Sequence, residues 1–125
     1  MTIANVQGLV ALRFHEALNH RDLAGLAALM SENHRFIDSA GQRVDGRDAV
    51  RDAWRQFFAA FPDYRNHVET LLCREQTVVM TGRSSCSEPA LAGPAFWRAD
   101  IVGGLVEEWR VLRGPQSQDS RRLHR

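Results

Sequence analysis

Two cysteines, Cys73 and Cys86, are too few to build a disulfide framework. Each sits in an apolar or small-residue strand pattern, so the expectation is a pair of reduced, buried thiols in a cytoplasmic protein, with no spacing that makes either a Cys-His nucleophile. No apolar run approaches the roughly 20 residues of a membrane span, and the N-terminus lacks a signal-peptide pattern, so no membrane partner is expected. The body of the chain has no block of like charge and the formal net charge is +1, which leaves a basic nucleic-acid face without support. Glycine forms no phosphate-cradling loop, because neither Gly8 nor Gly25 falls in such a pattern; a nucleotide cofactor is therefore not expected. The five histidines, His15, His20, His34, His67 and His124, do not cluster at metal-ligand spacing, so neither a metal nor any other cofactor is predicted. No internal repeat is present.

What remains is an ordinary globular composition, 44% hydrophobic and 25% charged over 125 residues, which points to one domain with a core of its own. That domain is expected over 1–113. A polar run then leads to Arg121, Arg122, His124 and Arg125, and 114–125 reads as a flexible polar and basic tail.

Periodicity divides the domain. Ile3, Val6, Leu9, Val10, Phe14, Ala17 and Leu18 recur at spacings of three and four, predicting a helix over 3–20. A short second helix over 22–30 starts at Asp22, a plausible N-cap. Residues 34–38 read as a strand, 39–41 as a turn and 42–44 as a return strand. Val50, Ala53, Trp54, Phe57, Phe58 and Phe61 then form the clearest helical stripe in the chain, and Pro62 ends it. Four strands follow, over 67–74, 77–87, 95–102 and 105–112, the last two joined by the Gly103-Gly104 hairpin turn. Helices first and strands later predict an α+β layer fold.

The most informative stretch is His34 to Asp63, HRFIDSAGQRVDGRDAVRDAWRQFFAAFPD. Asp38 ends a short strand and an aromatic-faced helix follows. Residues 34, 36 and 38 share a strand face, so a core-facing Phe36 brings Asp38, and His34 with it, to the same side. An acid beside apolar surface suits a small-molecule pocket and acid/base work. The competing reading is that Asp38 caps the turn Ser39-Ala40-Gly41, a common task for aspartate. Trp54, Trp97 and Trp109 suit either a core or a flat apolar ligand.

The element order, together with FIDSAGQRVDGRDAV, the FPD after the third helix and GGLVEEW in the last hairpin, resembles the nuclear transport factor 2-like superfamily over residues 3–112. The SnoaL-like polyketide cyclases and the ketosteroid-isomerase-like proteins are the groups it looks most like. The resemblance implies a cone-shaped curved antiparallel sheet, closed by three N-terminal helices around a central cavity. It implies Asp38 as a proton shuttle beside a carbonyl, with Phe14, Phe36, Trp54, Phe58, Trp109 and Val111 lining the pocket. It also shows what is missing. Phe14 stands where the isomerases keep a tyrosine on the first helix, Ala95 where they keep a protonated acid, and Val111 where the cyclases and epoxide hydrolases keep an acid on the last strand. Arg83-Ser84-Ser85 keeps the arginine of the epoxide-hydrolase Arg-x-Asp but not its acid. Arg98-Ala99-Asp100 has the spacing on another strand. Epoxide hydrolysis is thus the weakest of the implied activities.

Two functions remain open. One is a cofactor-free isomerase or cyclase acting on an apolar carbonyl compound, with Asp38 as acid/base and Arg83, Glu107 or His34 as a polar partner. The other is a non-catalytic ligand-binding or dimerisation module of the same fold. The resemblance implies a homodimer through the outer face of the sheet in either case.

Overall fold

The computed structural model describes residues 6–112. The expected tail with Arg121, Arg122, His124 and Arg125, and the first residues of the N-terminal helix with Ile3, lie outside the described residues. Three helices and six strands follow in the order α1 (Val6–Asn19), α2 (Leu23–Leu29), β1 (Met30–Ile37), β2 (Arg43–Asp45), α3 (Arg47–Ala60), β3 (Arg65–Arg74), β4 (Thr77–Ser85), β5 (Gly93–Val102) and β6 (Leu105–Leu112), with a 3-10 turn at Pro89–Leu91. The α+β class expected from the element order is the observed one.

The strands form one open, curved sheet in the order β2-β1-β6-β5-β4-β3. Four of the five pairings are antiparallel, but β1 runs parallel to β6, so the sheet is mixed rather than wholly antiparallel. A parallel pair needs a long connection between its strands, and residues 38–104 supply one between β1 and β6. Register shifts interrupt β1 between Met30 and Arg35, β3 between Val68 and Thr70, and the β5–β6 pair between Asp100 and Ile101. Each such shift bends its strand and adds twist, which gives the sheet its concave face.

Helix α1 buries Val10, Phe14, Ala17 and Leu18 as the stripe predicts, and Ala11 besides, but Val6 and Leu9 are about half exposed. His15 takes a core position instead. Gly8 lets the helix lie close to β3, since a Cβ there would meet Leu71 Cδ2 at 2.9 Å and Cys73 Sγ at 3.1 Å. Asp22 caps α2 as expected, its carboxylate accepting from the Gly25 N–H at 2.9 Å. Arg21, with positive φ, donates to Asn19 O at 2.9 Å and to Pro62 O, and its guanidinium lies 5.5 Å from the centre of the Phe58 ring. It thereby ties the α1–α2 corner to the end of α3. Cys73 and Cys86 are free, as predicted, but half-buried rather than buried.

Candidate functional site

A cleft of about 570 Å³ opens between α3, the end of β1, the 3-10 turn and the start of β5. That volume lies within the range of small-molecule sites. Of the three helices only α3 lines it, through Val50, Ala53, Trp54 and Phe57. Helices α1 and α2 do not contribute walls; α1 fills the core over the sheet. Phe36 meets Trp54 edge-on at 5.2 Å, Trp54 meets Phe57 at 5.6 Å, and Phe57 meets Tyr64 at 4.9 Å. These four rings make one continuous aromatic wall. The segment from Ala90 to Ala95, small apart from Leu91 and Pro94, lines the cleft as well.

Asp38 lies on the cleft and is the only charged side chain among its described lining residues. It also does what the competing reading expects. Its Oδ1 accepts from the Ala40 and Gln42 N–H groups, both at 2.9 Å, closing the turn between β1 and β2. Oδ2 enters no hydrogen bond among the described residues. The turn therefore fixes the carboxylate and leaves one oxygen available.

The second polar feature of the cleft was not anticipated from the sequence. Pro62 stops α3, and the Asp63 carboxylate accepts from the Ser87 N–H at 2.9 Å, clamping this corner to the loop after β4. Tyr64 is thereby set against Phe57 on the cleft wall. Its hydroxyl is 3.3 Å from Ser84 Oγ, Ser84 donates to Asn66 Oδ1 at 2.8 Å, and the Asn66 amide lies 3.3 Å from His15 Nδ1. Asn19 holds Asn66 in place by accepting from its N–H at 2.8 Å and donating to its carbonyl at 2.9 Å. Burial pushes the Tyr64 phenol up from its ordinary pKa, against the opposing hydrogen bonds to Ser84 and Asn66. Burial lowers His15 to about 3, so its ring is neutral. The available signal was faint: Tyr64 is the chain's only tyrosine and follows the Phe-Pro-Asp helix stop.

The other predicted residues separate into three groups. Phe36, Trp54 and Val111 line the cleft. Phe14, Phe58 and Trp109 are buried in the core and are not among the lining residues, with Phe14 against Trp109 at 4.2 Å and Trp109 against His15 at 4.8 Å. His34 is also a core residue, 0% exposed. Its Nδ1 donates to Val106 O at 2.7 Å, and burial lowers its pKa despite that bond.

Arg83 and Glu107 do not reach the cleft. Residues 78, 80, 82 and 84 of β4 face inward, so Ser84 takes the inward position and Arg83 is exposed on the outer face. Glu107 sits at the β5–β6 register shift, where Asp100 pairs with Glu108 and Ile101 with Val106. The shift breaks simple alternation, so Glu107 does not share the Trp109 face. Arg98 and Asp100 pair with each other at 3.6 Å, flanking the buried Ala99. Neither arginine-acid arrangement of the epoxide-hydrolase kind therefore converges on the cleft.

Among the described residues no group of three or more histidine, cysteine or acidic side chains is arranged to hold a metal, and no helix is long and apolar enough to cross a membrane. No curated protein matches the chain. Solved structures do. A protein described as a SnoaL-like polyketide cyclase from Shewanella denitrificans OS-217 superposes with a TM-score of 0.79 at 16% identity, covering 96% of this chain and 98% of that one. One of the same description from Shewanella putrefaciens CN-32 gives 0.77 at 18% identity, covering 95% and 97%. A protein described as a ketosteroid isomerase from Kribbella flavida DSM 17836 gives 0.74 at 19% identity, covering 86% and 76%. At these identities the likeness is one of fold. Residues 11–109 match the SnoaL-like domain family, and with that match spanning most of the sequence, the chain belongs to the SnoaL-like domain family, within the nuclear transport factor 2-like superfamily.

Proposed function

We propose that the cleft is the family's ligand cavity and that it binds a small, largely apolar carbonyl compound on which Asp38 acts as acid and base, in a cofactor-free isomerase- or cyclase-like reaction. The observation that carries this is a single carboxylate, fixed by its turn with Oδ2 free, on a wall made mostly of aromatic and apolar residues, with only the hydroxyls of Ser39, Tyr64 and Ser84 as further polar side chains among the described lining residues. Oδ2 takes a proton from the carbon next to the carbonyl, and the C–H electron pair moves toward the carbonyl oxygen to give an enol or enolate. Returning the proton at another carbon of the conjugated system completes an isomerisation; attack of the enolate carbon on a second carbonyl of the same molecule, whose C=O π pair moves to oxygen and takes the proton back from Asp38, completes a cyclisation. General-base assistance of this kind contributes on the order of 10²- to 10⁴-fold in rate.

A non-catalytic binding module is the second reading. It is favoured by the absence of any other charged side chain among the described lining residues, since Arg83 and Glu107 stand elsewhere. One experiment separates the two. Wild type and Asp38→Asn are incubated with 1-tetralone in heavy water, and deuterium entering the carbon next to the carbonyl is followed by proton NMR. The catalytic reading predicts acceleration by wild type, lost in Asp38→Asn with tetralone still bound. Binding without acceleration by either protein supports the module. Acceleration that survives in Asp38→Asn removes Asp38 from the mechanism.

We also infer a homodimer through the outer face of the sheet. Leu72 and Val79 are directly paired across β3 and β4, and Leu72 is 70% exposed there.

A further inference from the structure

We infer that the hydroxyls of Tyr64 and Ser84 form a second polar anchor of the cleft, so that its ligand is a flat ring compound with one oxygen function beside Asp38 and another at the far end. This deepens, and rests on, the reading of the cleft as a ligand pocket. Topology sets the two anchors apart. Asp38 follows the end of β1 and Ser84 lies on β4, with β6 and β5 running between those strands. Three strand spacings correspond to roughly 14 Å along the sheet, a span that its curvature shortens. The aromatic wall runs the same way. Phe36 touches Trp54, Trp54 touches Phe57 and Phe57 touches Tyr64, and among the described residues no ring contact joins Phe36 directly to Tyr64. A single ring beside Asp38 stops short of Tyr64. A two-ring skeleton with a hydrogen bond of about 2.8 Å at each end covers most of the distance.

The anchor is fixed from behind and incompletely used in front. Ser84 and Asn66 are 7% and 4% exposed, and 2.8 Å separates Ser84 Oγ from the Asn66 amide. Asn19 grips both backbone groups of Asn66. Phe57 packs against the Tyr64 ring, and the Asp63 clamp on the Ser87 N–H holds the corner from which it projects. The Tyr64 hydroxyl nevertheless stands 3.3 Å from Ser84 Oγ, beyond the ordinary reach of about 2.5–3.0 Å between two hydroxyls. A phenol offers one proton and two acceptor positions, and Ser84 and Asn66 engage at most two of these three. At least one is left for the cleft. This holds whichever way the Asn66 amide is turned. With the amide oxygen toward Ser84, the Ser84 proton goes to Asn66, and Tyr64 keeps acceptor positions and a proton held only across the long contact. With the amide nitrogen toward Ser84, the Ser84 proton is free for Tyr64, which releases the phenol proton to the ligand. A ligand hydroxyl both donates and accepts, so it satisfies either arrangement. A methyl group satisfies neither.

The test uses matched two-ring ketones that differ only at the far end. Affinities of 1-tetralone, 6-methyl-1-tetralone and 6-hydroxy-1-tetralone are measured for wild type, Tyr64→Phe and Asp38→Asn by calorimetry, with thermal melts to establish folding. Wild type should prefer the hydroxyl to the methyl compound by about two- to tenfold, the worth of one neutral hydrogen bond. Tyr64→Phe should erase that preference, and Asp38→Asn should keep it. A second readout needs no variant. Tyr64 is the only tyrosine of the chain, so protein labelled with carbon-13 at the tyrosine ζ position gives one signal. That signal should move further on saturation with the hydroxyl compound than with the methyl one. Equal binding of the two by wild type, a preference that persists in Tyr64→Phe or disappears in Asp38→Asn, or equal movement of the tyrosine signal overturns this inference while leaving the pocket reading intact. Failure of folded wild type to bind any of the three overturns both.

Discussion

Burying a histidine commits it to the neutral form, and the core holds two. His15 lies between tryptophan rings with its pKa lowered by burial to about 3, against an ordinary value near 6.5. His34 is shifted the same way, burial being the largest cause. The unfolded chain thus takes up protons on these rings below pH 6.5 while the folded chain does not. Stability is fully present above pH 6.5 and falls as pH drops from there toward 3, at up to about 1.4 kcal/mol per pH unit for His15 alone. Moving from pH 7 to pH 5 should cost about 2 kcal/mol through His15, lowering the melting temperature by on the order of 10 °C. Melts across this range check it, with His15→Gln as control. The variant is expected to be less stable at pH 7, and the gap to wild type should narrow on acidification; a constant gap contradicts the assignment. At the same scale the sequence was half legible. Asp38 could be placed beside Phe36 because strand alternation carries it there. Arg83 and Ser84 could not be told apart, because adjacent strand residues differ only in which face the register gives them. Tyr64 left no periodic trace, being set by a corner and not by a stripe.

Secondary structure was legible where one period ran unbroken. Helix α3 shows its buried Val50, Trp54 and Phe58 at spacings of four, and it stops at Ala60, just ahead of Pro62 as expected. Gly103 and Gly104, with φ of +61° and +80°, make the two-residue turn that the pair of glycines announces. Strand β6 has the expected bounds, and Trp109 and Val111 do turn inward, but strict alternation would put Glu107 with them, and the shift opposite Asp100–Ile101 breaks the period of two there. Bulges of this kind have no dependable sequence mark, and they set the curvature of the sheet. The bulge in β3 depends on a glycine of its partner strand. A Cβ on Gly82 would lie 1.9 Å from the His67 carbonyl oxygen, a backbone atom with no rotamer by which to escape. Gly82→Ala should therefore destabilise the protein by about 1–3 kcal/mol or more, as overpacking does. It should also weaken ligand binding, since Ser84 follows two residues later on the cleft wall. Denaturant titration checks the first effect, and a variant as stable as wild type refutes the close approach.

At the scale of the whole molecule the sheet divides the labour between its faces. The concave side carries the core and the cleft. The outer side carries ion pairs: Glu108, 6% exposed, accepts from Arg35 Nε at 2.7 Å and Arg110 Nε at 3.1 Å. Burial alone would push the Glu108 carboxyl up, but the two guanidinium groups outweigh it and hold the pKa below its ordinary value. Beyond these charges lies the apolar pair Leu72 and Val79. If that pair is the seam of a homodimer, Leu72→Glu should yield a monomer in sedimentation velocity while leaving ligand affinity unchanged; a wild type that sediments as a monomer rejects the seam.

An aromatic cleft that holds a small ring compound beside Asp38 leaves a direct signature when nitrogen-15-labelled protein is titrated with 1-tetralone. Saturable backbone amide shifts should concentrate at Ala40, Gln42, Phe57, Tyr64, Ser84 and Gly93, all on or bonded to the cleft wall. Shifts that are absent, or that gather on the outer face around Leu72, Val79 and Arg98, would contradict it.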